Sequence, residues 1–179
     1  MHGPDPKPAR TALFDAILEG LKLLGVVQPG DAIYAITDGG ENASHAPGAQ
    51  TKEALLQSGV RLFVFLLTEP LPPSPQDDNM DAFLEMVHAS GGFLFGIPGR
   101  NGPFAATWGF DYTYDKDSRD KVSMYTKELN IQVGGFWTLE LAAPSSKKEE
   151  KLKLEVVDHE GRTRKDVWVT SPRALPAAK

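Results

Sequence analysis

From Thr11 to Leu24, residues Leu13, Ile17, Leu21 and Leu24 recur at helical spacing, and Phe14 and Leu18 widen the stripe. The pattern predicts an amphipathic helix that Gly25 and then Pro29-Gly30 bring to an end. Ala32 to Thr37 (AIYAIT) is short, apolar and β-prone, and it runs out into Asp38-Gly39-Gly40, a loop signal. Thr51 is placed to cap a short helix that carries Leu55 and Leu56 and is closed by Gly59. Val60 to Leu67 (VRLFVFLL) is almost continuously apolar, which suits a strand covered on both faces. After the proline-rich loop Pro70 to Pro75, Met80, Phe83, Leu84 and Val87 mark another helix, capped by Asp77 or Asp78. Gly91-Gly92 then leads into the strand run Phe93-Leu94-Phe95.

Residues 11 to 97 therefore read as helix and strand in strict alternation, the pattern of an α/β layer whose parallel strands are joined by right-handed helical crossovers. Ligands of such sheets gather at the carboxyl ends of strands, and Asp38 stands at one of those ends. Further on, Val122, Tyr125 and Leu129 restore helical spacing over Ser118 to Asn130. Three β-prone runs finish the chain: Phe136 to Ala142, Leu152 to Val157, and Val167 to Thr170. The last two are separated by a hairpin-type turn at Asp158-His159-Glu160-Gly161. The expected organisation is a lead-in over 1–10, an α/β domain over 11–132 and a small antiparallel β appendage over 133–179.

Composition narrows the function classes. With 179 residues, 41% of them apolar and 24% charged, the chain has the make-up of a globular protein that buries a core. Its formal charge of -5 opposes general nucleic-acid binding, whose footprint is basic. The absence of cysteine excludes disulfides, a thiolate zinc site and a Cys nucleophile. Charge is uneven: Lys147 to Lys179 holds nine Lys or Arg against six Asp or Glu, while the remainder is strongly acidic. That asymmetry supports treating the tail as its own unit. Met1 to Arg10 lacks the apolar run of a signal peptide, and Leu62 to Leu67 is too short to span a bilayer.

The candidate chemistry centres on Thr11, in Ala9-Arg10-Thr11-Ala12-Leu13-Phe14-Asp15, and Asp38, in Ala35-Ile36-Thr37-Asp38-Gly39-Gly40-Glu41-Asn42. A Thr before a helix, a strand-ending T-D-G, the later Ser58-Gly59-Val60-Arg61-Leu62-Phe63-Val64, and Gly91-Gly92 before an aromatic strand follow one another in order. Over residues 9 to 97 this order resembles the von Willebrand factor type A (VWA) domain. The resemblance implies a Rossmann-like three-layer sheet in which Thr11 and Asp38 help hold a divalent cation, Mg²⁺. An acidic side chain of a protein partner would complete the metal's coordination, giving adhesion-type binding without catalysis. The chemistry is coherent, because Mg²⁺ takes oxygen ligands in an octahedron and keeps open positions for water or a partner.

One element of that family is missing. Its metal motif opens with D-x-S-x-S after the central strand, and no such motif occurs in this chain. The chain thus resembles the C-terminal half of the domain, and two ligands alone would hold Mg²⁺ weakly. Without a central strand, Ala32–Thr37 would present an unpaired apolar edge, prone to self-association. The expectation is that the natural product starts further upstream or that another chain completes the sheet. The β-prone tail, from Phe136-Trp137 through Lys151–Asp158 to Lys165–Val169, is similar to that of a bacterial group of these domains, commonly exported; this favours an extracytoplasmic setting.

Plainer readings stand beside these. Thr11 can be a helix N-cap, and Asp38 a turn residue bonded to its own backbone. Glu41 and Asn42 read as solvated loop groups, and Asp15 as a carboxylate favourable to the helix dipole. His2, His45, His88 and His159 show no metal-ligand spacing, and Ser44-His45 has no third group to make a catalytic triad. The rings from Phe104 to Tyr114 suit packing on the core better than a recognition surface. Three functions follow in order: a protein-binding module, metal-dependent when its first half is supplied; a metal-independent scaffold or interaction domain with a vestigial site; and a metal-assisted hydrolase using Asp38 with Glu41.

Overall fold

A computed structural model describes residues 10–37, 40–66, 78–95, 116–141, 150–167 and 169–175. Helix α1 (Leu13–Leu24) is followed by strand β1 (Ala32–Thr37), helix α2 (Gly48–Ser58), strand β2 (Arg61–Leu66), helix α3 (Asp78–Ala89) and strand β3 (Leu94–Phe95). The three strands pair in parallel in the order β1-β2-β3, with Ala32 opposite Arg61 and Val64 opposite Leu94. Helix α4 (Lys116–Gly134) and the antiparallel pair β4 (Glu150–Lys151) and β5 (Ala174–Leu175) complete the described elements. A mixed α/β architecture is therefore present, as the alternation of patterns implies.

Side chains alternate across a strand, so Ile33 and Ala35 of β1 share a face with Leu62 and Val64 of β2. That face is the core. Leu13, Phe14 and Ile17 of α1, Leu55 of α2, and Phe83, Met86 and Val87 of α3 all pack there. The other face carries Tyr34 and Phe63, and it receives the end of α4: the Arg61 guanidinium donates to the carbonyls of Gln132 at 2.9 Å and Val133 at 3.1 Å. It also lies over the rings of Phe63 and Phe136, at 5.2 and 5.6 Å. Leu62, Phe63 and Val64 are all fully buried, so β2 is covered on both sides. Each such side chain contributes about 1.5–3 kcal/mol by leaving water.

Two details fix the turns. Gly59 closes α2 in the left-handed conformation, φ 72°, and donates its N–H to the Leu55 carbonyl. Gly92 lies so near the Leu62 backbone carbonyl that a Cβ there would overlap it. Just before it, the buried Ser90 hydroxyl accepts from Leu62 N–H at 3.0 Å and donates to Val87 O at 2.9 Å, tying α3 to the first turn of β2.

Several expectations change. Helix α2 begins at Gly48, with Pro47 in the capping position, and Thr51 is a fully buried interior residue whose hydroxyl donates to Pro47 O. Helix α4 runs three to four residues past Asn130, held at its end by Arg61. Residues 136–141 and Leu152–Val157 do not form the expected strands, and Ala142 lies outside the described residues. Residues 136–141 are exposed, and Val157 makes a single antiparallel bridge to Thr163. β-Propensity is expressed only where a neighbour covers the strand; residues 136–141 have no strand partner among the described residues, and Leu152–Val157 makes only isolated bonds, from Leu152 N–H to Arg173 O and from Arg164 N–H to Val156 O, both at 2.8 Å. The turn at Asp158–Gly161, between Leu152–Val157 and Val167–Thr170, forms as the sequence suggests: Asp158 N–H donates to Arg162 O at 2.9 Å, with Gly161 at φ 80°. Pairing near the end of the chain instead uses residues 172–175. Arg173 N–H donates to Ala89 O, and Ala174 is buried against Leu56 and Ala89. Residues Pro70–Pro75, Asp77 and Phe104–Tyr114 lie outside the described residues.

Candidate functional site

The entrance of α1 and the segment after β1 meet at the carboxyl end of the sheet. Thr11 is not the N-cap; Ala12 occupies that position and offers no side-chain bond. The free N–H groups of the first turn are met from far along the chain. Phe14 N–H donates to Glu41 Oε2 at 2.9 Å, and Asp15 N–H donates to Ser44 Oγ at 3.1 Å. A carboxylate at this end also suits the positive pole of the helix dipole.

Glu41 is the hub. It is buried, and its carboxylate also accepts Ala43 N–H at 3.1 Å, Ser44 N–H at 2.8 Å and the Ser44 hydroxyl at 2.6 Å. Burial pushes its pKa up, but the Ser44 hydroxyl and the N–H groups of Ser44, Phe14 and Ala43 outweigh burial and hold it below the ordinary value. The reading of Glu41 as a solvated loop group is therefore wrong: a carboxylate with four donors on it is a structural clamp.

Asp15 works in the opposite direction, from helix to loop. It accepts His45 N–H at 2.9 Å, Ala46 N–H at 3.0 Å and the His45 ring at 2.9 Å. The His45 and Ala46 N–H groups, and then the His45 side chain, lower its pKa to about 2. Ser44 and His45 are thus adjacent for a structural reason, each fastening the loop to α1 through a different carboxylate. They do not form a nucleophile–base pair, since the serine hydroxyl donates to Glu41.

The two residues singled out for metal ligation fare differently. Thr11 is half-buried, and its backbone is locked to the loop: its N–H donates to Asn42 Oδ1 at 2.9 Å, while Asn42 and Ala43 donate to its carbonyl at 3.1 Å. Among the described residues no hydrogen bond takes up its hydroxyl. Asp38 lies outside the described residues; its sequence neighbours Thr37, at the end of β1, and Gly40, at the start of the clamp loop, lie within them. Among the described residues no three carboxylate or imidazole groups converge as a cation requires. Glu41, the carboxylate nearest in sequence to Asp38 on the loop side, already has both oxygens accepting N–H or O–H groups. The described donors by themselves therefore do not fit a resident Mg²⁺, which wants several oxygen ligands.

Sequence reasoning missed the roles of Glu41, Ser44 and His45. Glu41 caps Phe14 across 27 positions, a spacing outside any local capping signature. The chain matches no family model, no curated protein and no solved structure.

Proposed function

We propose that this chain is the C-terminal half of a VWA-type three-layer domain and serves as a non-enzymatic protein-binding module. The recognition end is the junction of the Thr11 segment with the loop after β1. The observation that supports it is the double fastening of that junction. Thr11 is bonded to Asn42 and Ala43, and the first turn of α1 is bonded to Glu41 and Ser44. Such a junction fixes the Thr11 backbone against Asn42 and Ala43 of the loop that follows Asp38, and a shared cation would need its ligands held close in this way. Thr11 and Asp38 supply two oxygens, an upstream half the remaining protein ligands, and a partner carboxylate the open position. With that half supplied, Mg²⁺ would act as an electrostatic bridge between two proteins.

Against a hydrolase using Asp38 with Glu41 stands the Glu41 carboxylate, whose two oxygens already accept three N–H groups and one hydroxyl. A metal-independent scaffold or interaction domain is the second reading; the fastening of α1 to its loop by Glu41, Ser44 and Asp15, which needs no metal, favours it. The coding DNA upstream of Met1 separates the two. An open frame carrying D-x-S-x-S is the expected result. An in-frame stop directly before Met1 would remove the metal-dependent reading and leave the scaffold.

A further inference from the structure

Residues 169–175 of the tail are fastened to the α/β layer at two places. Thr170 Oγ1 donates to Gln132 Oε1 of α4 at 3.1 Å, and the Gln132 carbonyl in turn accepts from the Arg61 guanidinium at 2.9 Å. Two residues on, Pro172 forms an antiparallel bridge with Ser90, and Arg173 N–H donates to Ala89 O at 3.2 Å. The Ser90 hydroxyl accepts from Leu62 N–H at 3.0 Å. Both anchors therefore converge on consecutive residues, Arg61 and Leu62, at the start of β2. Beyond them β5 pairs with β4, Leu152 N–H donates to Arg173 O at 2.8 Å, and Ala174 is buried against Leu56 of α2 and Ala89 of α3.

The turn between α3 and β3 is filled from both sides. Gly91, at φ 76°, lies so close to Pro172 N and the Ser171 carbonyl carbon that a Cβ would overlap them. On the other side, a Cβ at Gly92 would overlap the Leu62 carbonyl. Ser90, between the bridge to Pro172 and the bond from Leu62, is 3% exposed. Close packing of this kind transmits a displacement instead of absorbing it. A shift of residues 171–174 must therefore move Ser90 and Gly91, and a shift of Ser90 gives up the Leu62 bond.

We propose that residues 170–174 are a conformational latch: their docking and the closure of the α3–β3 turn onto β2 are one event. The tail segment then opens and closes together with the Leu62–Ser90 contact, not as an appendage of its own. A half-open state is disfavoured because it strips a partner from a polar group that is still shielded from water, Ala89 O on one side or Leu62 N–H on the other. The latch rests on bonds within the chain and needs neither Thr11 nor Asp38.

The test is native-state hydrogen exchange of the full chain in rising, sub-denaturing urea. The amides of Leu62, Leu152 and Arg173, with that of Gly92, which donates to Val87 O, should share one opening free energy and one urea dependence. Phe14 and Asp15, whose N–H groups donate to Glu41 and Ser44, should follow another. Ala174→Asp sets a carboxylate in the buried seat of the latch and should speed exchange at the first four amides roughly tenfold or more relative to Phe14 and Asp15. Two separate isotherms, one for Leu62 and Gly92 and one for Leu152 and Arg173, would overturn the proposal. So would an Ala174→Asp effect confined to Leu152 and Arg173, or one that reaches Phe14 and Asp15 equally, since neither leaves a latch distinct from fraying or from global unfolding.

Discussion

Glu41 shows how much a single loop residue can carry. Its carboxylate stands in for the missing N-cap of α1 and at the same time closes its own loop onto Ala43 and Ser44. Glu41→Gln keeps the size but turns an amide NH₂ toward backbone N–H groups. It should lower the unfolding free energy by about 2 kcal/mol, the scale of hydrogen bonds to a charged group, as read from urea unfolding. The same carboxylates set the acid limit. Glu41 and Asp15 have folded pKa values below their ordinary 4.5 and 3.8, Asp15 at about 2. The unfolded chain therefore binds the proton first, and their contribution, complete above about pH 5, is lost as pH falls toward 2. In Glu41→Gln the upper part of that decline should disappear and the part belonging to Asp15 remain. A pH titration of thermal unfolding checks this, and an acid profile identical to wild type would remove Glu41 from the account. None of it was legible locally: Glu41 and Asn42 look like solvated loop residues until the fold brings Thr11 and Phe14 to them.

At the scale of elements, the hydrophobic periods of the first half carried the reading well. Within the apolar run beginning at Val60, Arg61–Leu66 is a strand buried on both faces, and AIYAIT is a strand paired with it in parallel. Both follow from periodicity because burial there is dictated by the strand's own pattern. Boundaries moved where a partner outside the element decided them. Arg61 holds the end of α4, which runs to Gly134, by donating to the carbonyls of Gln132 and Val133, and Pro47 rather than Thr51 opens α2. The tail read least well, since residues 136–141 have strand composition and no strand partner among the described residues, and Leu152–Val157 makes only isolated bonds to Arg173, Arg164 and Thr163. The Gly92 contact is the sharpest element-scale test. Gly92→Ala would drive a methyl into the Leu62 carbonyl, so β2 and the α3–β3 turn must separate. A loss of at least about 2 kcal/mol in unfolding free energy is expected, and denaturant unfolding with less than a quarter of that change would contradict the described packing.

For the whole molecule, the three described parallel strands carry α1, α2 and α3 on one face and the loop junction at their carboxyl end. Of the two residues that the sequence pattern singles out, Thr11 lies at the junction, bonded to Asn42 and Ala43, and Asp38 is outside the described residues. The sequence did not show that Glu41 and Asp15 fasten it, because those bonds join residues about thirty positions apart.

The recognition claim is tested most directly by titrating Mn²⁺, a paramagnetic stand-in for Mg²⁺, into the isotope-labelled chain and following its amide resonances. Broadening should begin at Thr11, Gly40, Asn42 and Ala43 at millimolar concentrations, the weak binding that two protein ligands allow, and should vanish in both Thr11→Ala and Asp38→Ala. Broadening that ignores these amides, or that survives both substitutions, would contradict a cation site at the junction.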